Sequence, residues 1–173
     1  MFVIYNFFLS LIIFISPLII LIRIFLGKED QNRFKEKYGF LAKNNNSNEV
    51  VWIHGASVGE ILSIIPIIKK FEKDKKIKRI LITSLTTSSS QILSKFRFKK
   101  TIHQFYPFDL NFLTKHFINH WKPKLAIFVD SEIWPNMFNN LHKKNIPIIL
   151  LNARITKKSF NRWKFFRDYS VFG

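Results

Sequence analysis

Cysteine is absent from the 173-residue sequence, which excludes disulfide bonds and thiolate chemistry. Acidic residues are scarce, with 11 Asp and Glu against 28 Lys and Arg, so the formal net charge is +17. This excess of positive charge favours an anionic partner, which could be nucleic acid, an anionic lipid surface or a phosphorylated substrate. The 5 histidines are scattered and form no zinc motif. We therefore predict no metal site.

The segment from Phe2 to Ile22 contains no charged residue. As a helix it would extend about 30 Å, which is enough to cross or deeply enter a bilayer. A signal peptide fits poorly, because no basic region precedes the apolar run and no small-x-small cleavage site follows it. Pro17 favours either a kinked helix or an element that dips into the membrane. We predict a membrane anchor over residues 1–26, with crossing and dipping both open.

Basic residues follow the anchor at once: Arg23, Lys28, Arg33, Lys35 and Lys37. The positive-inside tendency places the body of the protein on the cytoplasmic side, and these side chains would bind anionic headgroups. A polar run at residues 44–48 then separates this region from the rest. The predicted organisation is an anchor over 1–26, a basic juxtamembrane segment and linker over 27–48, and a folded domain over 49–173.

Apolar segments and helix-like segments alternate through the folded domain. The predicted strands are Val50–His54, Arg79–Thr83, Ile102–Tyr106, Leu125–Val129 and Ile146–Leu151. The predicted helices are Glu60–Glu72, Ser88–Lys95, Leu110–His120 and Trp134–Lys144. Apolar strands without clean alternation, separated by helices, are typical of a parallel sheet covered on both faces. The fold class is therefore α/β and Rossmann-like.

The most informative stretch is Val50–Glu60, in which an apolar strand ends in small residues and a helix follows. Gly55 and Gly59 would permit positive φ or a close backbone approach. Glu60, in the first helical turn, would lie in the crevice where open α/β sheets bind ligands, so it is a candidate general base. It could equally do no more than complement the helix dipole. The stretch matches neither nucleotide-phosphate motif.

The remaining loops also gather polar residues at the carboxyl ends of the predicted strands. They contribute Thr86, Asp109, Asp130, Glu132, Asn136, Asn152 and Arg154, while Ser57 lies in the first loop. Hydroxyls, amides, acids and an arginine around a crevice suit a polyhydroxylated, anionic substrate. The alternative is that these residues cap the helices that follow. Asp130 and Glu132 are harder to explain in that way, because neighbouring carboxylates repel one another.

These loops carry a resemblance to a known family. The segments are 32–39, His54–Glu60, Thr83–Ser90, Tyr106–Leu110, Asp130–Asn136 and Asn152–Thr156. Together, and in this order, they resemble the amino-terminal half of the bacterial 3-deoxy-D-manno-octulosonic acid (Kdo) transferases. The similarity covers essentially the whole chain.

The resemblance implies two facing Rossmann-like domains, known as the B-type glycosyltransferase fold. It implies transfer of Kdo from CMP-Kdo to a lipid A precursor, with inversion and without a metal or other cofactor. The amino-terminal domain would bind the lipid acceptor at the cytoplasmic face of the bacterial inner membrane. The carboxyl-terminal domain would bind CMP-Kdo. A nucleic-acid partner is not expected, because the chain begins with an anchor and shows no recognition motif.

The resemblance also suggests roles for individual residues. Glu60 matches the catalytic base, and Asp130 matches the first acid of the family's Glu-Thr-Glu-Leu-Trp-Pro-Asn pattern, which stabilises the transition state. Asp130 is one methylene shorter than the usual Glu. The predicted substrate-binding residues are Ser57, Gly59, Thr86, Asp109, Glu132, Asn136 and Arg154.

Residues for the donor-binding domain do not occur in this sequence, so this half is expected to be inactive when isolated. The alternative function is that of a non-catalytic, membrane-tethered, lipid-binding remnant.

Overall fold

The fold was taken from a computed structural model, which describes residues 2–42, 50–130 and 132–152. The helices are α1 (Phe2–Phe25), α2 (Val58–Lys73), α3 (Thr87–Ser94), α4 (Asn111–Trp121) and α5 (Pro135–Lys143). The strands are β1 (Val50–His54), β2 (Ile80–Ser84), β3 (Thr101–Phe105), β4 (Pro123–Val129) and β5 (Ile148–Leu151). A 3-10 helix, Phe34–Tyr38, precedes the sheet.

The five strands form one parallel sheet in the order β3-β2-β1-β4-β5. The predicted α/β class is confirmed, and each strand begins within two residues of its predicted start. The α2 pattern is also as predicted, since Ile61, Ile64, Ile65 and Ile68 form its buried stripe.

Both faces of the sheet are buried at the central strands β1, β2 and β4, which explains why these strands show no polar alternation. Trp52 of β1 faces a cluster that includes Phe117 and Trp121 of α4. The next residue, Ile53, faces the opposite cluster, which includes Ile61 of α2. Neighbouring strand residues point to opposite faces, so an apolar residue is required at both positions.

The basic segment after α1 packs against the edge strand β3 and is not simply a linker. The Glu36 carboxylate accepts a hydrogen bond from the Phe105 backbone N–H at 2.7 Å, and Arg33 donates to the His103 carbonyl oxygen at 2.9 Å. These contacts satisfy backbone groups that an edge strand otherwise leaves unpaired. Arg33 is itself paired with Glu36.

Two more of the predicted headgroup-binding cations form ion pairs within the protein. Arg23 and Lys37 both contact Glu29, at 3.2 and 2.7 Å. Binding of the five basic residues to anionic headgroups stays a prediction. Lys28 and Lys35 remain exposed.

Candidate functional site

The candidate site lies where the loops after β1 and β4 diverge. β1 and β4 are neighbours in the sheet, but the chain continues from β1 towards β2 on one side and from β4 towards β5 on the other. Such a switch point leaves a crevice at the carboxyl ends of the strands, which is the usual ligand site of open α/β sheets. The loop after β1 leads into the first turn of α2, which contains Glu60, and the loop after β4 contains Glu132.

Glu60 is held in a fixed orientation by hydrogen bonds to both carboxylate oxygens. The Ala56 backbone N–H donates to Oε2 and the Ser57 hydroxyl donates to Oε1, each at 2.7 Å. The Ser57 hydroxyl in turn accepts from the Glu60 backbone N–H at 3.3 Å, so Ser57 is the N-cap of α2. The capping role is therefore present. Because each carboxylate oxygen has two acceptor positions, the same arrangement still leaves capacity to accept a proton.

The two glycines of this loop differ in what surrounds them. A Cβ on Gly55 would lie 3.3 Å from Glu60 Cβ and 3.3 Å from Ile61 Cδ1, so the first turn of α2 packs closely against it. A Cβ on Gly59 would meet nothing nearer than the Ser57 hydroxyl at 4.0 Å. Neither glycine has a positive φ. The close approach expected of both is thus present only at Gly55, and positive φ was the wrong reason for either.

Asp130, directly after β4, has an unusual backbone conformation. Its φ is 57°, and that of Asn152, directly after β5, is 56°. Asp and Asn tolerate this left-handed region better than most residues. The Asn152 side-chain amide donates to Asp130 Oδ1 at 2.6 Å, and the Asp130 backbone N–H donates to the Leu151 carbonyl oxygen at 2.8 Å. Adjacent strand ends therefore fix Asp130 at the border of the crevice.

The charges of Glu60 and Asp130 act on the carboxyl group of Glu132. Partial burial, the nearby Glu60 and then Asp130 raise the pKa of the Glu132 carboxyl. The neighbouring Trp134 indole lowers this pKa, although its N–H makes no hydrogen bond of normal geometry. The charges of Glu60 and Asp130 thus both act on Glu132 at the switch point, and a carboxyl whose pKa is raised by specific charged neighbours beside a crevice is a candidate functional group.

Three aromatic side chains beside Glu132 have polar atoms without a hydrogen-bond partner in the described part of the chain. These atoms are Nε2 of His54, the hydroxyl of Tyr106 and Nε1 of Trp134. The ring centroids of His54 and Tyr106 are 4.2 Å apart, and those of Tyr106 and Trp134 are 5.1 Å apart. These residues were not among the predicted site residues, although His54 ends β1 and Tyr106 directly follows β3.

His54 is neutral. Burial lowers its pKa to about 3. Its Nδ1 lies 2.9 Å from the Thr83 hydroxyl, and its Nε2 lies 4.0 Å from Glu132 Oε2. Because the ring is uncharged, this second contact is not an ion pair. His54 therefore presents an unfilled hydrogen-bonding position to the edge of the carboxyl cluster.

Asp109 and Asn136, both predicted to bind substrate, lie in the interior, with 1% and 2% of their surface exposed. The Asp109 carboxylate accepts from the Tyr5 hydroxyl at 2.8 Å and from the backbone N–H groups of Asn136 and Met137 at 2.9 and 2.8 Å. It thereby caps α5. Burial outweighs these hydrogen bonds and raises the pKa of Asp109 to about 6. In this arrangement neither side chain is accessible, and a contact with substrate stays a prediction.

Asn136 also links α5 to the first helix. Its side-chain amide donates to Asn6 Oδ1 at 2.7 Å and to the backbone carbonyl oxygen of Asp109. Thr86 caps α3, since its hydroxyl accepts from the Ser89 backbone N–H at 3.2 Å, as the capping alternative expects. Arg154 lies outside the described residues, so its predicted contact is untested.

No group of three His, Asp or Glu side chains within residues 2–42, 50–130 and 132–152 is arranged to hold a metal ion. The prediction of chemistry without metal stays a prediction.

Comparison with known proteins identifies the family. A family model described as 3-deoxy-D-manno-octulosonic-acid transferase (kdotransferase) matches residues 32–172. The chain is 40% identical over 160 residues to the 3-deoxy-D-manno-octulosonic acid transferase of Rickettsia bellii, covering 92% of this chain and 38% of the relative. It is 33% identical over 198 residues to that of Rickettsia typhi, covering 87% and 43%. It is 31% identical over 161 residues to that of Haemophilus influenzae, covering 91% and 38%.

The chain thus spans about two fifths of the length of these relatives. The family match covers most of this chain and includes every loop that borders the crevice. This chain belongs to the 3-deoxy-D-manno-octulosonic-acid transferase family.

Proposed function

We propose that the whole protein transfers Kdo from CMP-Kdo to a lipid A precursor, and that this chain supplies the acceptor-binding half and the catalytic base. The relatives' names support the transferred sugar. The observation that carries the proposal is the position of Glu60. Its carboxylate is fixed by two hydrogen bonds at the switch point of the sheet and is close enough to Glu132 to raise that residue's pKa.

In the proposed reaction, Glu60 removes the proton from a hydroxyl group of the acceptor sugar. The hydroxyl oxygen forms a bond to the anomeric carbon of Kdo while the bond from that carbon to the CMP phosphate breaks. CMP leaves with the bonding electrons from the opposite face, so the anomeric configuration inverts. The proton remains on Glu60 until solvent removes it. General-base catalysis requires this fixed geometry as much as it requires a suitable base.

The other acids have complementary roles in this proposal. Positive charge develops on the donor sugar in the transition state, and the Asp130 carboxylate would offset it. Glu132, whose pKa is raised, would bind a second hydroxyl of the acceptor. Ser57, Gly59 and Thr86 line the helix starts that face the same edge. No metal or cofactor takes part in this scheme.

The proposed location is the cytoplasmic face of a bacterial inner membrane. The residues from Ile4 to Phe25 are long and apolar enough to enter a bilayer, and the net charge of +17 suits anionic lipids and a phosphorylated acceptor. A nucleic-acid partner is not part of the proposal.

Binding measurements on this chain in detergent micelles test whether it binds the acceptor and not the donor. We expect a phosphorylated lipid A precursor to bind, a dephosphorylated precursor to bind more weakly, and CMP-Kdo not to bind. CMP-Kdo binding would contradict the acceptor assignment. Equal affinity for both lipids would remove the proposed role of the charge.

Transfer itself is tested by joining this chain to the carboxyl-terminal part of the Rickettsia bellii relative. We expect the joined protein to move Kdo from CMP-Kdo to the precursor. Lipid binding without turnover in a folded joined protein would favour the non-catalytic remnant.

A further inference from the structure

The first helix, α1, has one stripe that faces the protein. Its less exposed residues recur every three or four positions and therefore lie on the same side of the helix. They are Tyr5, Asn6, Leu9, Ile13, Ser16, Ile20, Arg23 and Ile24. The stripe continues from the first turn to the last, so α1 lies against the body of the protein over its full length.

Specific contacts hold this stripe in place. The Tyr5 hydroxyl donates to the buried Asp109 carboxylate at 2.8 Å, and the Ser16 and Tyr38 hydroxyls are 2.7 Å apart. Ser16 and Ile20 are 3% and 5% exposed. Just after α1, the Lys28 carbonyl oxygen accepts from the Thr87 hydroxyl at 3.1 Å. Both ends of α1 are therefore tied to loops at the carboxyl edge of the sheet.

The opposite face of α1 is apolar and uncovered. Its residues, with their exposed fractions, are Phe7 62%, Leu11 48%, Phe14 87%, Leu18 61%, Leu21 53% and Phe25 89%. At 1.5 Å per residue this face is about 27 Å long. Apolar surface on this scale marks a site of association.

We propose that α1 lies in the plane of the membrane surface, with this apolar face in the lipid and the opposite stripe on the protein. The inference rests on the proposed membrane attachment and specifies its geometry. The exposed Lys28 and Lys35 follow directly and complement anionic headgroups. An interfacial helix of this kind inserts its apolar face about 5–10 Å below the headgroup level.

A membrane-spanning α1 is incompatible with these contacts. From Tyr5 to Arg23 the docked stripe covers roughly 27 Å, nearly the ~30 Å thickness of the hydrocarbon core. If the docked helix crossed the bilayer, the body would enter the hydrocarbon with Asp109, Glu29 and Lys37. Charged side chains are strongly disfavoured in the hydrocarbon. If α1 left the body in order to cross, Asp109 would lose the Tyr5 hydroxyl that it accepts from.

The same geometry explains why the sequence of α1 resembles a membrane span. An interfacial helix usually carries lysine and arginine on the face turned away from lipid, because that face meets water. In α1 the protein itself covers that face, with only a few polar side chains needed for hydrogen bonds. Apart from Arg23, which pairs with Glu29, that face therefore carries no charge.

An in-plane α1 would also place the candidate site next to the bilayer surface. Asp109 and Asn136, which contact α1, lie at the same edge of the sheet as the carboxyl cluster. A lipid-anchored acceptor could therefore bring its sugar to Glu60 while its acyl chains stay in the membrane.

The absence of cysteine allows a direct measurement of depth. We suggest Phe7→Cys, Phe14→Cys and Phe25→Cys, each carrying a fluorescent label, in vesicles of phosphatidylethanolamine and phosphatidylglycerol. Lipids with spin labels at two depths then quench the fluorescence. These positions are exposed, so the substitutions spare the docked stripe. Lys76→Cys, exposed at the opposite edge of the sheet, is the control and should not be quenched.

In-plane geometry predicts equal quenching depth for the three α1 labels, within about 5 Å and near the headgroups. A membrane-spanning α1 would instead place the Phe14 label deepest, and the Phe7 and Phe25 labels would differ by more than ~10 Å in position across the bilayer. That result would overturn the orientation but leave the attachment intact. No quenching at any of the three positions would refute attachment itself. Self-association of the chain through this face would refute it in the same way.

Discussion

Asp109 and the cluster of Glu60, Asp130 and Glu132 lie at the same edge of the sheet, but their carboxylate oxygens have different hydrogen-bond partners. Asp109 is almost fully buried and accepts hydrogen bonds from a side-chain hydroxyl and two backbone N–H groups. Glu132 is partly exposed, has two other acids as electrostatic neighbours, and lies 4.0 Å from an unpartnered His54 nitrogen. Burial raises the pKa of both.

The comparison shows that a raised carboxyl pKa does not by itself indicate chemistry. At Asp109 the surrounding donors hold α5 and α1 in position, so the group acts as a structural cap. At the switch point like charges approach one another, and acceptor positions remain open beside the crevice. The second arrangement favours a functional site, because folding alone gives no reason to gather carboxylates.

Glu60→Gln should have the largest effect, and that effect should be on turnover. The Gln carbonyl can still accept from Ala56, and its amide can donate to the Ser57 hydroxyl, so the cap is retained while the basic oxygen is lost. In the joined enzyme, we expect turnover to fall by about 10² to 10⁴. Lipid binding should change little. Steady-state kinetics with CMP-Kdo and lipid A precursor measure both effects.

The matched control for this variant is Asp74→Asn, which changes an exposed acid beyond the far end of α2. It should leave turnover within a few-fold of wild type. If Glu60→Gln behaves in the same way, Glu60 is only a helix cap.

Asp109→Ala should lower the free energy of unfolding, and its effect on stability should exceed its effect on turnover. The change leaves two buried backbone N–H groups at the start of α5 and the Tyr5 hydroxyl without their acceptor. At about 1–3 kcal/mol for a buried unsatisfied group, we expect a loss of at least ~3 kcal/mol in the free energy of unfolding. Denaturant titration followed by tryptophan fluorescence in detergent measures it. Unchanged stability would show that Asp109 is not a structural cap.

The pH dependence of stability offers a separate test of Asp109. Its pKa is about 6 in the fold and about 3.9 in an unfolded chain. The folded protein therefore binds more protons between these values, and its free energy of unfolding should decrease as pH rises through them. The decrease is on the order of 2–3 kcal/mol.

Asp109→Asn removes this titrating group and leaves the other acids in place. The difference in unfolding free energy between wild type and this variant should therefore show the dependence between about pH 4 and 6. A difference that stays constant with pH, or that changes in wild type's favour as pH rises, would contradict the raised pKa.

The smallest expected effects come from the two glycines of the first loop. Gly59→Ala places a Cβ in open space within a helix and should stabilise the fold by up to about 1 kcal/mol. Gly55→Ala forces a contact with Glu60 and Ile61 and should destabilise it. Thermal unfolding compares the two. If Gly59→Ala folds normally but lowers turnover, a substrate group must approach the backbone at that position.

The sequence determined the elements and the local geometry of the first loop. Strand positions followed from apolar runs, which are buried on both faces in the central strands, and α2 followed from its buried isoleucine stripe. The Ser57–Glu60 cap joins residues three positions apart, so its signal lies within one short segment. The motif resemblance added the family, which the comparisons confirm.

Tertiary structure alone decided which loops meet and which polar residues are buried. The strand order places β1 beside β4, and this brings Glu60 near Glu132 although 72 positions separate them in the sequence. Asp109 caps α5 by accepting from Asn136 and Met137, 27 and 28 positions away. Hydrogen bonds from Tyr5 to Asp109 and from Asn136 to Asn6 then join α1 to this region across 104 and 130 positions. Periodicity and capping patterns report interactions within a few residues, whereas these contacts depend on how separate elements pack.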